Sequence, residues 1–260
     1  MQRRGFLGAV GAASAAAMGA MAETAAAAGT PKKQYLELRL YRCEAGAMRE
    51  GLETFLGKVA IPAWNRAGIK PVGVFGMMDG TSADLYVLLP HESIESFAAA
   101  PGRVWADAAY QKDGAAFLDT PKKQPPYTRI ESSLMLAFDG VPRVELPATK
   151  ETRLFQLRTY ESHCAERAAR KMEMFNTGGE LALFRRTGMN PVFFGQSLVG
   201  AKLPNLTYML GFNDVAAKEV AWKTFGGHAD WKKIRSDPKY KDTVSNITNI
   251  MLRPAACSQV

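Results

Sequence analysis

The stretch LRLY at residues 38–41 returns as LRTY at residues 157–160, a spacing of 119 positions. Two further segments return at nearly the same spacing: GIKPV at 68–72 as GMNPV at 188–192, and DLYVLL at 84–89 as NLTYML at 205–210. A period of this length is the size of a small domain and is too long for a solenoid repeat. The 260-residue sequence therefore predicts one domain present twice.

Hydrophobic periodicity gives each copy the order strand, helix, strand, strand, helix, strand. In the first copy the predicted elements are a strand over 34–42, a helix over 48–65 with a kink or restart at Pro62, strands over 72–75 and 85–89, a helix that Ser93 caps and Pro101-Gly102 interrupts, and a strand over 130–138. In the second copy they are a strand over 154–160, a helix over 165–186, strands over 192–194 and 206–212, a helix from Asp214 to about 225, and a strand over 246–252.

This βαββαβ order is that of the ferredoxin-like fold, whose antiparallel sheet carries its helices on one face only. The other face would expose a large apolar patch unless something covered it, and a second identical sheet is the obvious cover. We therefore predict an α+β protein in which two tandem ferredoxin-like repeats form a pseudo-dimeric α+β barrel. The predicted domains are 31–140 and 153–260, joined by a Pro- and Gly-containing linker over 141–152.

The first residues resemble an export signal. The twin arginines of RRGFL at 3–7 precede a weakly apolar Ala/Gly run and small residues around 20–22, as at a cleavage site. We expect residues 1–28 to be a twin-arginine signal peptide with a short disordered lead, and the folded protein to be exported to the periplasm or secreted. A Sec leader or an uncleaved anchor is the alternative, although Ala and Gly are too weakly apolar for a stable anchor. We expect no membrane span after cleavage, whose position stays open.

The chain is basic, with 33 Lys and Arg against 25 Asp and Glu and a formal net charge of +8. Much of the excess lies between residues 218 and 241. An exported protein rarely meets nucleic acid, so we interpret this cluster as a solvated helix face and expect no nucleic-acid partner. Contact with anionic lipid or cell-wall polymer is the alternative.

Cysteine is sparse, with Cys43, Cys164 and Cys257 as the only three. An odd count is a poor disulfide framework, so we expect buried free thiols. A bridge between Cys43 and Cys164 remains open.

Side-chain alternation separates two faces of each sheet. The aliphatic face of the first strand carries Leu36, Leu38 and Leu40, and its counterpart in the second copy carries Phe155, Leu157 and Thr159. The mixed face carries Glu37, Arg39 and Tyr41, and in the second copy Gln156, Arg158 and Tyr160. We predict that the aliphatic faces lie under the helices and that the mixed faces line a cavity between the two sheets.

A cavity into which a few polar side chains point is typical of a small-molecule site. Glu37 can neutralise Arg39, whereas its counterpart Gln156 cannot neutralise Arg158, so Arg158 is the stronger candidate anchor for an anionic group. The alternative is a purely structural network between the sheets. The predicted ligand-binding set is Arg39, Tyr41, Arg158, Tyr160, Ser133 and Asn249.

The sequence indicates no catalytic motif. The three histidines, His91, His163 and His228, do not occur at zinc-ligand spacing, and neither a G-x-S-x-G elbow nor a phosphate-binding glycine loop is present. We therefore assign no catalytic residue, no metal and no cofactor, and the sequence leaves open whether the protein is an enzyme.

Four segments of the second copy resemble the NIPSNAP family, of the dimeric α+β barrel superfamily: LRTY at 157–160, NLTYML at 205–210, WKTF at 222–225 with the following DW at 230–231, and NIMLRP at 249–254. The resemblance covers essentially all of the mature chain and is weaker in the first copy, where Ser96-Phe97 replaces the Trp-x-x-Phe stretch. It implies a barrel of two ferredoxin-like units and no particular activity. Sister families on this fold include cofactor-free monooxygenases and haem-handling enzymes.

Three functions fit this sequence. The first is binding of a small apolar or aromatic anionic molecule between the two sheets. The second is a cofactor-free oxygenase or isomerase in which the same Arg and Tyr residues serve proton transfer and anion stabilisation. The third is a non-catalytic scaffold or partner-binding protein. A void on the order of several hundred Å³ between the sheets favours the first two, and a packed interior favours the third. The ligand and any homo-oligomeric state are not specified by the sequence.

Overall fold

The computed structural model describes residues 32–260. The predicted signal peptide, residues 1–28, lies outside the described residues, and export therefore stays a prediction. No helix within residues 32–260 has both the length and the apolar composition needed to cross a membrane.

Residues 32–260 form eight strands that close into one barrel. The strands are β1 (Tyr35–Arg42), β2 (Gly73–Met77), β3 (Leu85–His91), β4 (Arg129–Ala137), β5 (Leu154–Glu161), β6 (Asn190–Val199), β7 (Asn205–Phe212) and β8 (Asn246–Pro254). Their order around the barrel is β1-β3-β2-β8-β5-β7-β6-β4, and neighbouring strands are antiparallel. Each repeat supplies four adjacent strands in the ferredoxin-like order, and the two sheets join at the β2–β8 and β4–β6 pairs. The predicted pair of ferredoxin-like repeats in a pseudo-dimeric α+β barrel is confirmed.

Helices cover the outside of each sheet. They are α1 (Ala47–Phe55), α2 (Ile61–Arg66), α3 (Ile94–Trp105), α4 (Ala108–Leu118), α5 (Ala165–Asn176), α6 (Glu180–Arg186), α7 (Val215–Gly227) and α8 (Ala229–Ser236), with a 3₁₀ turn at Pro238–Tyr240. Ser93 and Asp214 cap α3 and α7 as predicted, because their side-chain oxygens accept from the backbone N–H three residues later at 3.1 and 2.8 Å.

The predicted restart at Pro62 is present, and two other helix predictions need correction. A π-helical turn, Leu56–Ala60, separates α1 from α2 just before Pro62, whose missing N–H and bulky ring disfavour a regular turn there. The helix predicted over 165–186 breaks into α5 and α6 at Gly179, whose φ of +92° suits glycine. In contrast, Pro101 does not interrupt α3, which continues through it to Trp105.

The two faces of the sheets are the reverse of those predicted. Leu36 and Phe155, from the aliphatic faces, lie inside the barrel in one shared apolar cluster. Tyr41 and Tyr160, from the mixed faces, lie under the helices of their own repeats. The physical reason is that barrel closure makes the interior the most enclosed space in the molecule, which suits aliphatic side chains. The helix-covered face runs out to solvent at its margins, where long polar side chains can place their charged ends.

The prediction of a cavity between the two sheets is also wrong, because apolar side chains fill that space. Phe75 and Phe155 come from opposite repeats and meet edge to face with ring centroids 4.9 Å apart. The buried members of this barrel core are Leu36, Phe75, Leu88, Met135, Ala137, Phe155, Leu157, Val192, Phe193, Met209, Leu252 and Val260. The barrel interior therefore serves as a hydrophobic core that joins the repeats.

All three cysteines are free thiols, so Cys43 and Cys164 are not bridged. Cys164 is exposed at the start of α5, contrary to the expected burial, whereas Cys43 and Cys257 are half-buried against the first repeat's helix-side core.

Candidate functional site

Each repeat has a cavity between its sheet and its helices. The cavity of the first repeat has a volume of about 250 Å³ and includes Arg39 and Tyr41 in its lining. The cavity of the second repeat has a volume of about 370 Å³ and includes Arg158 and Tyr160. We call them the first-repeat cavity and the second-repeat cavity. Equivalent strand positions therefore place an arginine and a tyrosine at both sites.

In the first-repeat cavity, Arg39 is paired with a buried carboxylate. Its Nε and Nη2 donate to Glu37 Oε1 and Oε2 at 2.6 and 3.1 Å. Ser132 Oγ donates to Glu37 Oε1 at 2.9 Å, and His91 Nε2 lies 3.3 Å from Oε2. Burial acts to raise the pKa of Glu37, but the hydrogen bonds from His91, Arg39 and Ser132 outweigh it and hold that pKa at about 2. Glu37 is therefore ionised at neutral pH and neutralises Arg39.

In the second-repeat cavity, Arg158 has no such partner. Gln156 occupies the position equivalent to Glu37, and within residues 32–260 no carboxylate lies within salt-bridge distance of Arg158. Arg158 Nη2 donates to the Tyr160 hydroxyl at 3.1 Å, while the buried Nε has no hydrogen-bond partner in the same part of the chain. A buried donor without an acceptor costs free energy, and it leaves part of the hydrogen-bonding capacity of the guanidinium unused.

Aromatic rings hold the Arg158 guanidinium in place. Its central carbon lies 5.3 Å from the Tyr160 ring centroid and 5.0 Å from that of Trp222. Trp222 Nε1 donates to Gln156 Oε1 at 2.6 Å, and Gln156 Nε2 donates to Asn249 Oδ1 at 2.8 Å. The cation is thus positioned by neutral groups and keeps its charge uncompensated.

A pair of oppositely charged side chains also lines the second-repeat cavity, and the two side chains bind each other. Lys171 Nζ donates to Glu180 Oε2 at 2.6 Å, and both side chains are almost fully buried. Lys171 Nζ also lies 4.3 Å from the centroid of the Phe175 ring. Burial raises the pKa of Glu180, opposed by the positive charges of Lys171 and Arg158. Since Lys171 and Glu180 cancel when both are charged, the excess positive charge of the cavity belongs to Arg158.

The tyrosines of the second repeat form a short hydrogen-bonded chain. The Tyr208 hydroxyl donates to the Tyr160 hydroxyl at 3.0 Å, and Tyr160 accepts from Arg158 as well. Burial raises the pKa of Tyr208 well above its ordinary range. Tyr208 therefore stays protonated at neutral pH and acts as a donor.

The predicted site residues separate into three locations. Arg39 and Tyr41 lie at the first-repeat cavity, and Arg158 and Tyr160 at the second, so the two arginines do not meet. Asn249 pairs with Arg158 across β8 and β5 and shares its face, next to Gln156. Ser133 is opposite Leu38 and shares the barrel face instead. On β4 the residue equivalent to Asn249 is Ser132, not Ser133. The prediction was therefore off by one residue along the strand, which moves the side chain to the other face of the sheet. Binding by any of these residues stays a prediction.

The cavity lining also includes Trp222, Lys171 and Glu180, which the sequence did not indicate as site residues. Trp222 stood out in the sequence only as part of WKTF, one of the segments that resemble the family. Lys171 and Glu180 meet because the chain turns at Gly179, a break that was not predicted. The pair of adjacent glycines at 178–179 was the available signal.

The fold and these two cavities define the class: a single-chain α+β barrel with a cavity on the helix side of each sheet. The NIPSNAP family model matches residues 36–136 and again residues 155–259, so the chain belongs to the NIPSNAP family and carries the family domain twice. Both matches fall within the predicted domains 31–140 and 153–260, whose outer limits stay a prediction.

Solved structures share the fold at low identity. A candidate monooxygenase from Fusobacterium nucleatum subsp. nucleatum ATCC 25586 matches with a TM-score of 0.54 and 8% identity, over 86% of this chain and 93% of that chain. A candidate monooxygenase from Lactobacillus acidophilus NCFM matches with a TM-score of 0.52 and 10% identity, over 85% and 94%. An anthrone oxidase-like protein matches with a TM-score of 0.50 and 11% identity, over 87% and 93%. These likenesses show a common fold alone. No curated protein sequence matches the chain.

Proposed function

We propose that this NIPSNAP protein binds a small aromatic carboxylate in the second-repeat cavity, with Arg158 as the anchor. The observation that carries the proposal is the state of Arg158: a guanidinium on a cavity wall, held by aromatic rings, with one buried N–H free of any acceptor among the described residues. A carboxylate is planar and accepts two parallel hydrogen bonds from a guanidinium, so it suits this cation better than a neutral group does.

The other walls of the cavity suit an aromatic ring. Phe184 and Phe225 meet edge to face with centroids 4.8 Å apart, and Trp231 lies 4.5 Å from Phe225. These rings and Trp222 line the cavity of about 370 Å³, which falls in the size range of small-molecule sites. Apolar walls with one uncompensated charge, that of Arg158, support an amphipathic ligand with a single anionic group.

We further propose that binding takes place outside the cytoplasm, because the RRGFL start at residues 3–7 resembles a twin-arginine leader. The packed barrel core fits the scaffold alternative, but the cavities on the helix side supply the volume that a scaffold does not need.

A second candidate function is a cofactor-free oxygenase or isomerase at the same cavity. Glu180 favours it, since a carboxylate with a raised pKa on a cavity wall can take a proton from a bound substrate. Arg158 would then stabilise the resulting anion.

The binding proposal is tested by isothermal titration calorimetry with aromatic carboxylates such as benzoate, indole-3-acetate and β-naphthoate. We expect Arg158→Ala to weaken binding about 10- to 100-fold, the effect of losing hydrogen bonds to a charged group. Arg185→Ala is the matched control, because Arg185 is a surface arginine paired with Glu145 outside the cavity. Oxygen uptake measured with the same compounds distinguishes an oxygenase from a binding protein.

Two results would contradict the proposal. One is that no aromatic carboxylate binds the wild-type protein. The other is that Arg158→Ala binds as tightly as Arg185→Ala while both remain folded by circular dichroism.

A further inference from the structure

We infer that the first-repeat cavity is a second binding site, and that it takes a neutral aromatic molecule carrying a hydroxyl or carbonyl group. This inference goes beyond the anion site and does not depend on it. It rests on the size, the walls and the charge balance of the first-repeat cavity.

The cavity is large enough for a fused pair of rings. An apolar cavity of about 150 Å³ accommodates benzene, and the first-repeat cavity has about 250 Å³. Seven aromatic side chains contribute to its lining: Tyr41, Phe55, Trp64, Trp105, Tyr110, Phe117 and Tyr127. Phe55 and Phe117 stack at 3.9 Å, and Tyr127 meets Tyr41 edge to face at 5.5 Å. These rings offer faces and edges to a flat aromatic ligand.

The charge balance excludes an anion. Arg39 is neutralised by two hydrogen bonds to Glu37, so a ligand carboxylate would gain no unpaired cation and would lie close to a buried negative charge. A neutral ligand needs no unpaired cation and is not repelled by the negative charge of Glu37. The three tyrosines of the lining supply phenol groups that can donate to, or accept from, a hydroxyl or carbonyl.

The cavity also has an access route. Trp105 and Ile130 both belong to its lining, and their exposed fractions are 61% and 38%. The cavity therefore opens to solvent beside these two residues.

The two repeats therefore differ at one decisive position. Arg39 and Arg158 are equivalent, but Glu37 stands in the first repeat where Gln156 stands in the second. We attribute the different ligand charge of the two cavities to this difference.

The test uses β-naphthol and β-naphthoate, which share a ring system and differ in charge, in calorimetric titrations of the protein. Ala100→Leu fills the first-repeat cavity, because the buried Ala100 is part of its lining. We expect this variant to lose at least tenfold in affinity for β-naphthol and to keep its affinity for β-naphthoate. Ala115→Leu, at an exposed position of α4, is the matched control and should bind β-naphthol like wild type.

A wild-type protein that does not bind β-naphthol, or an Ala100→Leu variant that binds it normally, overturns the inference. Its failure is distinguishable from that of the anion site, which concerns β-naphthoate and Arg158 alone.

The reciprocal test is Glu37→Gln, which gives the first repeat the residue of the second. We expect this variant to bind a further equivalent of β-naphthoate, which Ala100→Leu then removes. A folded Glu37→Gln protein with unchanged stoichiometry shows that Glu37 does not set the ligand charge. If the variant does not fold, the Ala100→Leu titration decides the inference.

Discussion

Glu37 should make the stability of this protein depend on pH in a defined window. Its carboxylate is almost fully buried and is held ionised by Arg39, Ser132 and His91. The ordinary pKa of this group is 4.5, and in the folded protein it is about 2. A carboxyl whose pKa is lower in the folded state stabilises the fold above its unfolded pKa. That contribution is lost as the pH falls from about 4.5 to about 2.

The magnitude follows from the shift. Each pKa unit corresponds to about 1.4 kcal/mol, so the shift of Glu37 contributes about 3 kcal/mol of unfolding free energy at pH 7. At pH 3 the same two pKa values leave about 1.5 kcal/mol. Glu37→Gln abolishes the ionisation, so the variant should be about 3 kcal/mol less stable than wild type at pH 7. The difference should fall by about half at pH 3.

Urea unfolding of both proteins at pH values from 7 to 3, followed by circular dichroism, measures this difference. Glu166→Gln is the control, because Glu166 forms an exposed ion pair with Arg170 that contributes little. A difference between wild type and Glu37→Gln that stays constant from pH 7 to pH 3 would refute the reasoning, as would one below about 1 kcal/mol at pH 7.

Three further predictions concern the second repeat and the barrel core. Lys171→Met leaves Glu180 buried without its partner and should reduce the unfolding free energy by about 3–5 kcal/mol, measured by urea unfolding; equal stability would show that the pair is not buried as described. Phe155→Ala should cost about 3–5 kcal/mol in the same assay while β-naphthoate affinity is retained, since Phe155 belongs to the barrel core; a large loss of affinity would contradict that separation. Trp222→Phe keeps a ring near Arg158 but loses the hydrogen bond to Gln156, so calorimetry should show β-naphthoate affinity reduced about three- to tenfold, and unchanged affinity would argue against Trp222 as a positioning residue.

The topology could be predicted because its signals are local or repeated. Two copies of the segments around LRLY and GIKPV define the duplication, and alternation defines the strands. Ser93 and Asp214 mark helix starts through their own side-chain chemistry. None of these signals depends on how distant parts of the chain meet.

The orientation of the sheets could not be predicted in the same way. Alternation shows that Arg39 and Tyr41 share a face, but both faces of each sheet are covered, one by helices and one by the other sheet. Which face closes the barrel depends on the β2–β8 and β4–β6 pairs, which join strands from different repeats. For the same reason a one-residue error in matching β4 to β8 moved Ser133 to the wrong face.

Some contacts among the candidate site residues could likewise be predicted from the sequence, and others could not. Glu37 and Arg39 are two residues apart on one strand, so their contact was predictable. Trp222 reaches Arg158 only because α7 packs over β5, and Lys171 reaches Glu180 only because the chain breaks at Gly179. Contacts of this kind require the folded chain.

The duplication also explains how two different cavities can coexist. In a symmetric homodimer every substitution appears in both subunits, so both cavities would carry the same residue beside the arginine. In a single chain the two positions vary independently, and here they hold Glu37 and Gln156. One carboxylate in place of one amide changes the charge beside the arginine by a full unit, and we propose that this difference sets the charge of the preferred ligand without any change in fold. Joining the repeats in one chain therefore permits one barrel to hold two cavities of different charge.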